Sequence, residues 1–371
     1  MKIAILTGEP SGDLLAHDVV KVMRDQYPKA ALIGIGGERL ETLGLRSRFP
    51  LSEFSVNGIV EVLPHLPRLL FRIEQITRWL LKEQPDLVLT VDAPDLTLRI
   101  AKMLRARGYG GKLVHLVAPT VWAWKPERAE KVSAFLDHIL CLFPFEPPYF
   151  EAHGLAATFI GHPIVSRPVS PVIKDDNALL LLPGSRMNEV QQLVPLFREV
   201  VQGLAPSFPG LRCLVPTVET TRNFVSSRMV DWPTPIEFLF REEDRQQAFH
   251  QAKVALAASG TVALELAKAD VAAVITYRLS SMTYKQVMRQ TRLDHFSLIN
   301  ILAGREIMPE HLQDQARADV LVPELVRLLS NEQAREQQVS GQREALGKLA
   351  LSADKSPAKL AAETLLTLLR A

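Results

Sequence analysis

Short apolar runs alternate with stretches of helical period along most of the chain. Lys2–Leu6 (KIAIL), Ala31–Ile35 (ALIGI), Leu87–Val91 (LVLTV), Leu113–Val117 (LVHLV) and His138–Phe143 (HILCLF) predict buried strands. Helices fit between them at Ser11–Gln26, Leu96–Arg107 and Arg128–Phe135. Continuous apolar strands separated by helices predict a parallel sheet covered on both faces. Gly161–Asp176 (GHPIVSRPVSPVIKDD) interrupts the pattern with three prolines and no periodicity, and reads as a linker. The alternation then restarts with strands predicted at Ala178–Leu182, Leu211–Val215, Ile236–Phe240, Val254–Ala258 and Val271–Thr276. It repeats an architecture, not a sequence. The expected fold class is α/β, with two doubly wound Rossmann-like domains facing a cleft, at residues 1–165 and 172–350. Residues 351–371 form a last helix opened by Ser356-Pro357. Its Leu360, Leu365, Leu368 and Leu369 make an apolar face that packs back on the first domain or on a partner subunit.

Composition narrows the class. The 371 residues are 47% hydrophobic and 23% charged, ample for two cores. The net charge of +2 leaves no surplus for a polyanion, so no nucleic-acid partner is expected. Cys141 and Cys213 sit in apolar runs without metal spacing and read as reduced, buried thiols of a cytoplasmic protein. The N-terminal apolar run reaches Glu9 too soon for a signal peptide, and no run approaches the ~18 apolar residues of a membrane span. Mean hydropathy is nonetheless +0.07. The excess collects in Phe49–Leu81, where Arg68, Arg72 and Arg78 interleave with Leu and Phe, and Pro64 and Pro67 divide a loop from a helix. Such a stretch suits an anionic membrane surface or packs as an ordinary helix on the sheet.

Chemistry concentrates after the predicted strands. Gly8-Glu9-Pro10-Ser11-Gly12-Asp13 opens the first helix, where two glycines permit a tight turn and the helix N-terminus favours an anion, while Ser11 or Asp13 equally suits a cap. Asp92-Ala93-Pro94-Asp95 sets two carboxylates at a strand's carboxyl end, with helix capping as the plainer role. Trp122 and Trp124 line a pocket or pack their loop. Gly184-Ser185-Arg186 combines a turn, a helix start and a guanidinium suited to phosphate. Ser259-Gly260-Thr261 repeats that form, with Glu265 one turn on, in reach of ribose hydroxyls or in an off-register capping box with Thr261. Asn300, Arg305 and Glu306 gather in a semi-apolar loop.

These segments in order resemble lipid-A-disaccharide synthases: GEPSGD at 8–13, GIVEVL at 58–63, DAPD at 92–95, VWAW at 121–124, PFE at 144–146, IGHP at 160–163, LLPGSR at 181–186, ASGTVALE at 258–265 and NILAGRE at 300–306. Each is weak alone; the ordered set is specific. The resemblance implies a B-type glycosyltransferase fold and transfer of 2,3-diacylglucosamine from its UDP conjugate to 2,3-diacylglucosamine 1-phosphate. A β-1,6 disaccharide and UDP result, with inversion and without a metal or other cofactor. It implies an N-terminal acceptor- and lipid-binding domain and a C-terminal nucleotide-sugar domain. Asp95 is then the candidate base, Asp92 the substitute, and Arg186 stabilises the leaving UDP. Ser11, Gly12, Asp13, Trp122, Gly184, Ser185, Ser259, Gly260, Thr261 and Arg305 join the substrate site. Glu265 holds the ribose, and Asn300 organises the nucleotide-sugar or the acceptor. Acyl chains account for an Arg-studded apolar patch near 56–81, which implies peripheral association with the inner membrane. A homodimer is left open.

The chain departs from the pattern at Leu96-Thr97, where an amide is expected, at Val165-Ser166, where an acidic residue is expected, and at Ala16-His17, whose His17 reads as a helix-surface or cleft-edge residue. Competing readings are another UDP-sugar transferase or epimerase of the same fold, or a non-catalytic UDP-sugar-binding peripheral membrane protein.

Overall fold

The computed structural model describes residues 1–54, 59–168, 173–278, 293–352 and 355–370, the helical turns at 59–66 by backbone alone. Residues 56–58 of the apolar stretch and 169–172 of the linker lie outside them. The chain divides into two compact units: Met1–Pro163 together with Leu349–Ala371, and Ile164–Lys348.

The first unit carries a seven-stranded sheet of β1 (Lys2–Thr7), β2 (Ala31–Ile35), β3 (Arg46–Ser47), β4 (Leu87–Val91), β5 (Lys112–Leu116), β6 (His138–Cys141) and β7 (Ala156–Phe159). Their order is β3-β2-β1-β4-β5-β6-β7, and every pairing is parallel. Helices α1 (Pro10–Gln26), α2 (Glu38–Thr42), α3 (Ile59–Glu83), α4 (Pro94–Ala106), α5 (Glu127–Ser133) and α6 (Pro147–Glu151) connect them. The apolar runs became central strands because both faces are covered; all five residues of β4 are buried. His115 also lies in this interior, bonded through Nδ1 to Thr90 Oγ1 at 2.8 Å. Burial depresses its pKa to about 3, so it is neutral.

The second unit carries β8 (Asp175–Leu182), β9 (Arg212–Pro216), β10 (Ile236–Leu239), β11 (Ala252–Ala258), β12 (Ala272–Tyr277) and β13 (Glu310–Leu312). These are parallel in the order β10-β9-β8-β11-β12-β13. The helices are α7 (Met187–Leu204), α8 (Arg222–Arg228), α9 (Glu242–Gln251), α10 (Val262–Lys268), α11 (Leu298–Ala303), α12 (Ala318–Ser330) and α13 (Glu332–Gly347). Lys174, just before β8, donates to the carbonyls of Ala252 and Ala269 at 2.9 and 2.8 Å, at the ends of α9 and α10. Burial pulls its pKa down to about 8.

Three short strands, β3, β7 and β13, escape the apolar pattern. A two-residue edge and half-exposed edge segments need no continuous apolar run. The expected break at Pro64 and Pro67 does not occur, since α3 runs unbroken through both. Proline's fixed φ is helical; each one removes a single N–H donor. Ile73, Ile76 and Leu80 of α3 join the core, Leu69 packs against it, and Leu70 and Phe71 stay exposed. Arg72 bonds Glu53 at 2.8 Å and lies 4.3 Å over the Phe49 ring. Side-chain hydrogen bonding to Arg72 holds the Glu53 carboxyl below its ordinary range.

The last helix, α14 (Pro357–Arg370), belongs to the first unit and lies on α1. Its buried face is Ala361, Ala362, Leu365 and Leu366, rotated from the expected leucine stripe because small alanines admit the closest helix approach. Arg370 closes it, donating from Nη2 to the Tyr27 hydroxyl at 2.8 Å.

Candidate active site

In each sheet the strand order reverses at one point, between β1 and β4 and between β8 and β11. Ligands bind doubly wound sheets at the carboxyl ends of the strands flanking such a reversal. The segments 8–13 and 92–95 leave β1 and β4; 183–186 and 259–265 leave β8 and β11.

In the first unit, Gly8 lets the two loops meet, for a Cβ there would stand 2.5 Å from Ala93 Cβ. Asp92 and Ala93 both take left-handed backbone, φ +53° and +43°. Such strain persists only where neighbours hold it. Thr97 does so: its hydroxyl donates to Asp92 O at 2.7 Å and Ala93 O at 3.1 Å. The Asp92 carboxylate accepts the Ala93 N–H at 2.8 Å and the Ser11 hydroxyl at 3.3 Å. Asp95 opens α4 with its side chain 95% exposed, and Oδ1 accepts from Arg128 Nη2 at 2.8 Å. A solvent-facing carboxylate with one oxygen oriented by a guanidinium has the form of a general base.

Asp13 requires a correction. It is buried, and its oxygens accept the N–H groups of Gly37 (2.7 Å) and Arg39 (3.1 Å). It caps α2, not its own helix, and its carboxylate is committed to that contact. Gly12 is buried beneath it, 3.2 Å from Val91 O at the Cβ position.

Further along the same edge, Trp122 Nε1 donates to Glu146 Oε1 at 3.1 Å. Glu146 Oε2 accepts the N–H groups of Leu142 and Phe143, both at 3.0 Å. Trp122 stands edge-on to Phe145, 5.2 Å between centroids, and Phe145 stacks on Phe143 at 5.4 Å. Burial pushes the Glu146 pKa up to about 7 against these hydrogen bonds.

In the second unit, Gly184 turns the chain at φ +107°, and a Cβ there would meet Glu189 Oε2 at 2.5 Å. Buried Glu189 accepts from Arg186 Nη1 and from the Tyr277 hydroxyl, both at 2.9 Å. The Arg186 side chain is 75% exposed and Ser185 is exposed beside it. Ser259 Oγ donates to Phe296 O at 3.2 Å, which leaves Gly260 and Thr261 at the surface with open space over Gly260. Thr261 makes no side-chain cap, so the off-register capping box with Glu265 does not form. Glu265 faces Arg167 Nη1 at 3.4 Å, and desolvation raises its pKa.

Two second-unit expectations change. Asn300 is fully buried, and its amide is used up: Nδ2 donates to Met308 O and Glu310 Oε1, both at 2.8 Å, while Oδ1 accepts from Ile307 N (2.8 Å) and Met308 N (3.0 Å). An amide has two donors and two lone pairs, so none remains for a ligand. Arg305 lies beyond the far end of α11 from the Ser259–Phe296 bond and pairs with Glu344 at 3.0 Å. It is not brought to the group.

The sequence reading gave no role to Arg128, to Glu146 of the 144–146 segment, or to Phe240, which follows β10, stacks on Phe238 and carries Arg222 4.1 Å over its ring. A polar depression of about 480 Å³ lined by Gln192, Arg278, Gln313, Asp314 and Arg317 was equally invisible, since its residues come from three separate segments.

Solved structures of low identity share this architecture. A UDP-GlcNAc 2-epimerase from Neisseria meningitidis aligns over 100% of both chains with a TM-score of 0.65 at 11% identity. MurG of Acinetobacter baumannii aligns over 100% of this chain and 99% of its own, with a TM-score of 0.56 at 16%. They define the class: the two-unit α/β fold of B-type glycosyltransferases and sugar-nucleotide epimerases. The family model for lipid-A-disaccharide synthetase matches residues 3–364. A lipid-A-disaccharide synthase of Rhodospirillum centenum is 41% identical over 99% of this chain and 94% of its own. One of Paramagnetospirillum magneticum is 39% identical over 100% and 98%. The chain belongs to the lipid-A-disaccharide synthase family. It is a glycosyltransferase of lipid A biosynthesis, and its substrates are lipid A precursors.

Proposed function

We propose that Asp95 is the general base of this transfer and that the two units divide the substrates. The observation that carries the reading is the exposed Asp95 carboxylate at the reversal point of the first sheet, held by Arg128 at 2.8 Å. Asp95 takes the proton of the acceptor's 6-hydroxyl, on 2,3-diacylglucosamine 1-phosphate. That oxygen bonds the anomeric carbon of UDP-2,3-diacylglucosamine as the bond to UDP breaks, in one inverting displacement. Asp92, which accepts one bond on each oxygen, from Ser11 and from the Ala93 N–H, and is half-buried, is the substitute base.

UDP leaves as an anion. The Arg186 guanidinium and the backbone at 184–186 and 259–261 receive its phosphates, with Glu265 toward the ribose. Arg186 is suited to this because Glu189 anchors it from below while most of its side chain faces solvent. No helix among the described residues is long and apolar enough to cross a membrane. Exposed Leu70 and Phe71 beside Arg68 support peripheral attachment to a cytoplasmic, anionic lipid surface, from which both acylated substrates are drawn.

The test is UDP release from UDP-2,3-diacylglucosamine in detergent micelles, with and without 2,3-diacylglucosamine 1-phosphate. Acceptor-dependent release with a disaccharide product is expected. Binding of UDP without release would return the site to a non-catalytic reading, and release with another acceptor to another transferase.

A further inference from the structure

A buried carboxylate costs free energy unless every lone pair it offers is used. Glu146 is 2% exposed. Its Oε2 serves its own turn, taking the Leu142 and Phe143 N–H groups ahead of α6. A shorter acceptor such as Asp or Ser would suffice for that. The extra length of Glu delivers Oε1 to the indole of Trp122, 24 residues earlier in the chain.

The loop holding Trp122 is strained at both ends. Val117 stands at φ +77° and Lys125 at φ +54°. A β-branched residue there is strained and needs outside support. Val117 is held by its N–H on Leu140 O at 3.1 Å and Lys125 by its ammonium 4.1 Å over the Trp124 ring; between them Trp122 is hydrogen-bonded to Glu146 and set edge-on to Phe145 and Phe143. The loop runs straight into α5, whose Arg128 orients Asp95. Beyond it, Phe143 also meets the His162 ring at 5.5 Å. Loops from β5, β6 and β7 thus join in one ring cluster next to the loop of Asp95.

We propose that Glu146 is a positioning residue for the acceptor. Through Trp122 it locks the loops after β5 and β6 into an aromatic shelf, half-buried Trp122 and Phe145 over buried Phe143, that takes the apolar face of the acceptor's hexosamine ring, and it holds Arg128, and so Asp95, in place. The inference rests on the reading of the first unit as the acceptor side. Aromatic rings with one polar edge suit a sugar, whose C–H face stacks while its hydroxyls stay wet.

The test is steady-state kinetics of the full chain in micelles, for E146Q, W122F and the double variant. Gln has nearly the shape of Glu but sets an NH2 against N–H donors on one side or the other. W122F keeps a ring and leaves the Glu146 turn intact. Each single variant is expected to raise the acceptor KM about tenfold, the cost of one hydrogen bond to a charged group, with the donor KM within twofold. The double variant is expected to be no worse than either single one, because both break the same contact. Unchanged acceptor KM overturns the inference, as do equal rises for donor and acceptor or additive losses. If E146Q fails to fold, W122F decides alone by the same acceptor KM. A parent chain that forms no disaccharide overturns this inference along with the reading beneath it; an active parent with silent variants overturns this inference alone.

Discussion

The two reversal points are built by opposite means. In the first unit the loops are rich in side-chain contacts. Ser11 reaches Asp92, Thr97 holds the Asp92–Ala93 turn, Arg128 reaches Asp95 and Glu146 reaches Trp122. In the second unit the loops are short and glycine-bearing, and the prominent side chain is one exposed arginine on a buried glutamate. On the proposed reading, the difference follows from what each must do. A base must be fixed to within a fraction of an ångström of a hydroxyl, which takes locked side chains. A diphosphate is large, symmetric and charged, and open backbone with one guanidinium suffices to hold it.

If that division is right, lesions on the two sides fail differently. Asp95→Ala is expected to lower kcat by roughly 10²–10⁴-fold with UDP affinity unchanged; turnover near that of the parent would remove Asp95 as base. Glu146 makes a pH statement specific to the first unit. Its pKa is about 7 when folded against the ordinary 4.5, so the folded state keeps that proton longer. Stability from this group is full below pH ~4.5 and is lost as pH rises through about 7, on the order of 3 kcal/mol in all. In denaturant melts from pH 5 to 8 the parent is expected to lose stability relative to E146Q as pH rises, since Gln has no proton to release there; a constant difference would contradict it. Arg186→Ala is expected to weaken UDP binding by roughly tenfold by calorimetry. An unchanged dissociation constant would mean that backbone alone holds the diphosphate. The smallest effect is outside both loops. Leu70→Ser with Phe71→Ser is expected to reduce co-sedimentation with anionic vesicles severalfold without loss of stability, since both residues are exposed. Equal sedimentation would leave α3 as a packing helix only. Leu69 is excluded from this pair because it packs on the core.

Much of the molecule was legible along the chain. The alternation of apolar runs and helices located ten of the strands and the parallel class, because strands covered on both faces must be continuously apolar. The ordered motifs located both reversal points, because sharp turns there demand glycine or capping residues. What escaped was decided by partners far away in sequence. Asp13 looked like a cap for its own helix and caps α2 instead, since Gly37 and Arg39 fold against it. Asn300 looked like a ligand contact and is consumed by Ile307, Met308 and Glu310. Thr97 looked like a lost polar role, yet it secures the strained turn beside Asp95.

The residues on the chain therefore dictate which elements form and where the reactive groups enter, for both are matters of local period and turn chemistry. They do not dictate which of several similar polar groups is left facing solvent. Asp13 and Asp95 are the same residue type, each in the first turn of a helix after a β-strand. One is sealed by two N–H groups from another loop and the other stands open beside Arg128. Hydrogen-bonding capacity is finite, and only folding assigns it: a carboxylate satisfied inside the protein has none left for a substrate.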